Sequence, residues 1–588
     1  MKSRVLIGIE YFLIASLIPF LIVPQTLIGN VVYLSMGFIS FAIFELLYIR
    51  YKNIEVTYKK SETNVAVVLT VLFIIMLSIF DILNSGFLDI DNLLNVYPST
   101  VAHVIQVWGY IIYLPSVFVA SFIFVWSMVH FALDNTEGGY HKATYKWCLI
   151  IISLLSVIYL FSTYPGIWIQ DDVSRVWNQV CEQNWNAWDT LGYELFVALC
   201  AFLRESSFTV NVIQTILWIF LNSYILKVLQ EESTKNMKIY TAVLVFVAAP
   251  FNYLEVMYKD VVFSMGILAI TVGIYHIIKK KSIVWQDILV LTIGGAFASL
   301  CRHAGNVAVM LALVSVLGYF LIKKQKKICK YLIGITVFQV CLFLLVNVVL
   351  MDSLNATENP AYIKYTMPMV TIGAAASHGV EFESEDAEIL ERIMPIEEWG
   401  NCYNKYWADD LARGWGKIGG RINTVSNLID TEQYGKDLLR INIKLLVNHP
   451  YIYVKSIFDM NNIVWKMARP NGGYEMAICT VTKNEQITYL IPFKYTDLWT
   501  QFMCNMPLTN VLYARGGVAL FTILFSGVIW IIQKKRYFLI VLVPIIVYDC
   551  MLLITIPAQD PRFILPGIEC AIFLAAVVFG ADKDKNIA

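Results

Sequence analysis

The stretch Tyr164–Val180, YPGIWIQDDVSRVWNQV, decides how the chain is read. It follows directly on an apolar run, breaks it with Pro165 and Gly166, and sets two adjacent carboxylates, Asp171 and Asp172, just beyond. After Asp172, the residues Val173, Val176, Trp177, Val180 and Cys181 recur at helical spacing, which predicts an amphipathic helix. Trp168 and Trp185 suit a headgroup layer. The two acids then stand at a helix N-terminus, where the helix dipole favours anions. One Asp at that position serves as an N-cap. Two exceed what a cap needs, and the second is available as a general base or as an oxygen ligand to a divalent cation, magnesium or manganese.

Composition explains what surrounds this loop. The 588 residues are 58% apolar and 15% charged, with a mean hydropathy of +0.64. Those values belong to a polytopic membrane protein. Forty-four Lys and Arg balance 44 Asp and Glu, and no basic–aromatic patch appears, so nothing points to a nucleic-acid partner. The 11 Cys are scattered without CxxC or zinc spacing. Cys402, Cys479 and Cys504 share one long loop, an odd number that does not make a full disulfide framework. The first apolar run, Val5 to about Val23, lacks a small-residue cleavage site and reads as a retained helix.

A bilayer span needs roughly 20 mostly apolar residues. About fourteen are expected, at 5–24, 27–49, 65–84, 106–131, 147–164, 208–229, 239–255, 261–278, 283–301, 304–322, 328–351, 509–532, 538–557 and 563–580. The patch LGYELFVALCAF is too short to span and carries Glu194, so it reads as a helix in the interface. The short Lys- and Arg-rich loops all fall on one face if MKSR is cytoplasmic. Both termini then lie in the cytoplasm, and the acidic loop, 165–207, faces outward. The chain divides into a four-span unit (1–146), a membrane core (147–351), an extracytoplasmic domain (352–508) and a three-span unit (509–588). The expected class is an all-α polytopic protein of the bacterial cytoplasmic membrane, with interfacial helices and a mixed outer domain.

Several charged residues share the outer face: Lys259 and Asp260 in YKDVVF, Arg302 and His303 in CRHAGN, and Asp560 and Arg562 in PAQDPRFILP. Charges at membrane depth are costly and mark sites or pathways, and Arg grips phosphate oxygens in a bidentate way. The same residues also suit snorkelling at the interface, and Lys259 could simply pair with Asp260. His303, His378 and His449 read as hydrogen-bonded structural histidines. In the long outer segment, SEDAEILERIMPIEEW predicts a helix capped at Ser384, and DLLRINIKLLVNHPYIYVKSIFDMNNIVW predicts two amphipathic helices broken at Pro450. Their apolar faces would pack on the membrane surface or on the spans. No nucleotide-binding or hydrolase motif is present.

These stretches together resemble the GT-C glycosyltransferases. YPGIWIQDDVSRVWNQV, YKDVVF, CRHAG, NHPYIYVKS and DPRFILP are similar to a bacterial membrane family grouped near them. The resemblance covers roughly 147–588. It implies an enzyme that moves a sugar from a polyprenyl-phosphate donor to a glycan, lipid or protein acceptor, with inversion and without a required cofactor. It implies Asp171 or Asp172 as base, and Arg302, His303, Arg562 and Lys259 at the donor phosphate. Asp260, Asp189 and Asp560 would support them. One departure stands out: where the family has Trp-His-Pro, this chain has AWDTLGY, with Asp189 in the His place. A polyprenyl-linked polysaccharide polymerase or ligase, and a transporter or lipid flippase, remain the other readings.

Overall fold

The computed structural model describes residues 60–77, 121–133 in part, 142–162, 173–359, 361–408, 433–467 and 515–580, with a few isolated positions. Among them there is no strand, only helices and two isolated bridges. The paired acids Asp171 and Asp172 and the first two expected spans lie outside the described residues.

Among the described residues, seven helices are long and apolar enough to cross a membrane. In chain order, α1 is Lys60–Leu77, α2 Lys142–Ser162, α3 Leu191–Leu203 and α4 Phe208–Gln230. Then come α5 (Thr234–Val247), α6 (Ala249–Tyr253), α7 (Lys259–Lys280), α8 (Trp285–Cys301) and α9 (His303–Ile322). Helix α10 (Lys326–Leu344) runs on through a π-helical turn, Leu345–Leu350, to Ser353. The seven long apolar segments are α2, α4, α7, α9, α10 with its extension, Arg536–Thr555 and Pro561–Gly580.

Two expected spans are shorter helices, α8 and Gly517–Ile532 (α16 below), of 17 and 16 residues. The stretch 239–255 is not one helix. Ala248 takes a left-handed conformation (φ 57°) directly before Ala249 and Pro250, which ends α5 and starts α6. Pro250 has no amide hydrogen to continue the ladder, so a run that hydropathy reads as continuous is cut. The short patch 191–203 is the 13-residue helix α3. At 1.5 Å per residue it covers about 20 Å, too little to cross. Its one face, with Tyr193, Glu194, Val197 and Cys200, is buried, whereas Phe202 at its end is 88% exposed.

Helix α7 is the centre of the described bundle: its apolar length is wholly buried. It packs on α4, α8, α9 and the last helix, α18 (Leu565–Gly580). Contact with α8 is close because glycine stands at the crossing. A Cβ on Gly266 would lie 2.6 Å from the Gly294 carbonyl oxygen, and one on Gly294 2.6 Å from the Ala269 Cβ.

The segment from 361 to 467 is helical where described. It comprises α11 (Thr366–Ser377), α12 (Ser384–Ile393), α13 (Ile396–Asn401), α14 (Gly435–Asn448) and α15 (Pro450–Met460). The expected break at Pro450 is present. Ser384 is not the cap: it is the first helical residue, Glu383 precedes it, and no side chain caps that end. Ile372, Leu390, Trp399, Leu438 and Ile441 form a small core of their own. Helices α16 (Gly517–Ile532) and α17 (Val543–Thr555) lead to α18.

Candidate functional site

One end of the bundle gathers charge from five separate elements. The first is the N-terminus of α7, carrying Lys259 and Asp260. The second is Arg302, the single extended residue (φ −147°, ψ 139°) between α8 and α9. The third is a 3₁₀ turn, Pro561–Ile564, whose cap Asp560 accepts a hydrogen bond from the Arg562 amide at 3.0 Å. The fourth is the turn before α3, with Asp189, and the fifth a π-helical turn, Val173–Trp177, with Arg175.

The pairs interlock. Arg302 Nε lies 2.7 Å from Asp260 Oδ1, and Arg562 Nε lies 3.8 Å from Asp260 Oδ2 and 2.9 Å from Asp560 Oδ2. Arg175 donates two hydrogen bonds to Asp189, both at 2.7 Å, the planar fork of guanidinium on carboxylate. Lys259 Nζ donates to the Trp188 carbonyl at 2.7 Å and sits 3.6 Å from Asp189. Lys259 and Asp260, adjacent in sequence, therefore take different partners: one faces the α3 turn, the other the two arginines.

The acids are seated behind the bases. Asp189, Asp260 and Asp560 are buried, whereas Lys259, Arg175, Arg302 and Arg562 are half-buried. Aromatic rings line the arginines: Arg302 stacks at 4.6 Å from the Phe563 centroid and Arg562 at 4.8 Å from Tyr258. Arg302 also donates to the Tyr548 hydroxyl, which in turn donates to the Phe563 carbonyl at 2.9 Å. Among the described residues, four cations here meet three ion-paired carboxylates, with aromatic rings against the arginines. Such a surface can hold a monoanion at the cation heads while the buried acids fix their direction.

The structure brings together every expected cation. Lys259, Arg302 and Arg562 form the cluster, and their supporting acids are the three named from sequence. His303 lies at its exposed rim, with Nε2 3.3 Å from Asn359 Nδ2. Asp171 and Asp172, the pair that could also hold a cation, are outside the described residues. Among the described residues, no three His, Cys, Asp or Glu side chains are grouped to hold a metal ion.

Sequence reasoning missed three participants. Arg175 lies inside the quoted stretch, three residues after Asp172, and its charge on the amphipathic turn was the available signal. Tyr548 lies mid-span and gives no signal. Glu194 interrupts an apolar patch, and the sequence gives no sign of its place beside the cluster. It is fully buried, its Oε2 accepts the Asn186 amide at 3.0 Å, and its Oε1 has no hydrogen-bond partner. Burial pushes its carboxyl up to about 7, although the Asn186 amide pulls the other way. The same turn is tied down by paired backbone hydrogen bonds, Ala187 to the Thr357 carbonyl (2.8 Å) and Thr357 to the Trp185 carbonyl (2.9 Å).

No family model matches the chain, and no curated protein or solved structure matches it either.

Proposed function

We propose that the chain is a GT-C-type membrane glycosyltransferase that moves a sugar from a polyprenyl-phosphate donor to an extracytoplasmic acceptor with inversion. The observation that carries this reading is the convergence of Lys259, Arg302 and Arg562 on one half-buried surface backed by Asp189, Asp260 and Asp560. Half-buried cation heads held in place by buried carboxylates suit the singly charged phosphate of a phosphodiester. In the proposed step, Asp171 or Asp172 removes the acceptor hydroxyl proton and the oxygen attacks the anomeric carbon. The bond from that carbon to the phosphate oxygen breaks, and the departing polyprenyl phosphate is neutralised by the cation heads. Arg175 links the two halves: it follows the paired acids by a few residues and is forked onto Asp189 in the cluster.

The test is transfer from a radiolabelled polyprenyl-phosphate sugar in membranes, together with binding of polyprenyl phosphate to the purified chain. Asp171→Asn or Asp172→Asn is expected to lower transfer by about 10²–10⁴-fold, the usual loss of a general base, with binding retained. Arg302→Gln is expected to weaken binding. Near-normal transfer in both Asp variants would remove the acids from the mechanism.

One observation favours a second reading, a transporter or lipid flippase. Glu569 lies buried in α18, with Ser264 donating to its Oε1 at 3.2 Å and no hydrogen-bond partner at Oε2. Acids inside a membrane bundle commonly serve ion or proton movement. That reading requires vesicle uptake of label without covalent change, lost in Glu569→Gln.

A further inference from the structure

Helices α14 and α15 present two unlike faces. On the inner side Leu438, Ile441 and Leu445 enter the small core with Leu390 and Trp399, and Met460 is fully buried. On the outer side Leu439, Ile443, Leu446, Val447, Tyr451, Val454 and Phe458 follow one another at helical spacing. Ile443 is 64%, Val447 72% and Tyr451 74% exposed. A continuous apolar stripe along two helices is not a feature of surfaces that meet only water.

On α15 the exposed Lys455, beside Val454, pairs with Asp459, and on α14 two basic side chains are tied back toward α12. Arg440 pairs with Glu385 (2.6 Å) and Asp386 (3.2 Å), and Lys444 with Glu383 (2.6 Å) and Asp386 (2.8 Å), all at or near α12. Lys436 stands exposed at the head of the stripe, where a long side chain reaches headgroup phosphates.

The level of the stripe is fixed by a membrane helix. Helix α15 packs on α17, the end of a candidate span, and Asn461 donates to the Leu553 carbonyl at 3.1 Å. The next residue of that span, Ile554, is 59% exposed. The outward apolar surface of the hairpin thus continues from the level at which the lipid-facing surface of a span ends.

We propose that the α14–α15 hairpin is an interfacial anchor, its stripe inserted among the acyl chains of the leaflet on the site side of the membrane. Amphipathic helices with an apolar face of this kind sit at the boundary between headgroups and acyl chains. The proposal is independent of the chemistry assigned to the ionic cluster. It separates the two options that the sequence leaves open: the inner face packs on protein, and the outer face on lipid.

A benzophenone amino acid replacing Val447, and separately Ile443, tests this in the full chain reconstituted in phosphatidylcholine–phosphatidylglycerol vesicles. Both side chains point outward, so the replacements leave the small core intact. On irradiation, a phospholipid-mass adduct is expected at both positions, and none at Glu388 on the exposed face of α12. A crosslink to a second copy, a crosslink to another part of the same chain, or the absence of a lipid adduct at both positions would overturn it.

Discussion

At the scale of single residues, Glu194 ties the candidate site to pH. Its carboxyl rises from an ordinary 4.5 to about 7 because burial disfavours the charge. Between those values the folded chain holds a proton that the unfolded chain has released. Its contribution is therefore fully present below about pH 4.5 and lost as pH climbs through about 7, on the order of 3 kcal/mol. Glutamine cannot ionise, so Glu194→Gln is expected to narrow the fall in unfolding midpoint between about pH 5 and about pH 8; an unchanged fall would show that another group causes it. At this scale the sequence was informative about which cations and acids take part and silent about which pairs with which. Arg302 and Arg562 are conspicuous at the ends of apolar runs. That both turn to Asp260, and Lys259 to Asp189, follows from helix packing that no local spacing encodes.

At the scale of elements, the placement of Arg302 depends on one glycine. A Cβ on Gly305 would fall 1.8 Å from the Ala298 carbonyl oxygen and 2.7 Å from the Phe263 ring, so the first turn of α9 rests directly against α8. Gly305→Ala must push that turn away, at a cost of about 1–3 kcal/mol for overpacking, and draw Arg302 off Asp260. We expect a lower melting temperature together with weaker polyprenyl-phosphate binding. Gly318, with open space at its Cβ on the same helix, provides the tolerated control, Gly318→Ala. If the two alanine variants behave alike, close helix contact does not set the arginine. Helix existence was legible from hydropathy and the break at Pro450 from its missing amide. The cut at Ala248 was not, because Pro250 sits inside a stretch that is apolar from Ala242 to Phe251.

At the scale of the whole molecule, the small helical core is fastened to the spans through Arg515. This guanidinium is fully buried and donates to the Asn462 carbonyl and Oδ1, both at 2.8 Å, and to Gln559 Oε1 at 3.4 Å. Gln559 directly precedes Asp560 of the ionic cluster, so one side chain joins the turn that follows the α14–α15 hairpin to the site. Arg515→Ala leaves those buried acceptors without their donor, at about 1.5–3 kcal/mol for each hydrogen bond to a charged group. Limited proteolysis is expected to cut within 433–467 while the spans stay intact; equal resistance in variant and parent would contradict the fastening. Arg515 also shows why the larger architecture escaped the sequence, since a lone Arg near an apolar run looks like any snorkelling residue. The central helix carries a last consequence. Helix α7 bears the ionic cluster at one end. At the other, His276 lies between Asp287 (2.7 Å) and Glu231 (3.1 Å), and packed neighbours surround the length between. A rod gripped at both poles and along its shaft can neither turn nor slide by itself. Any rearrangement of the surrounding helices would have to leave this one in place.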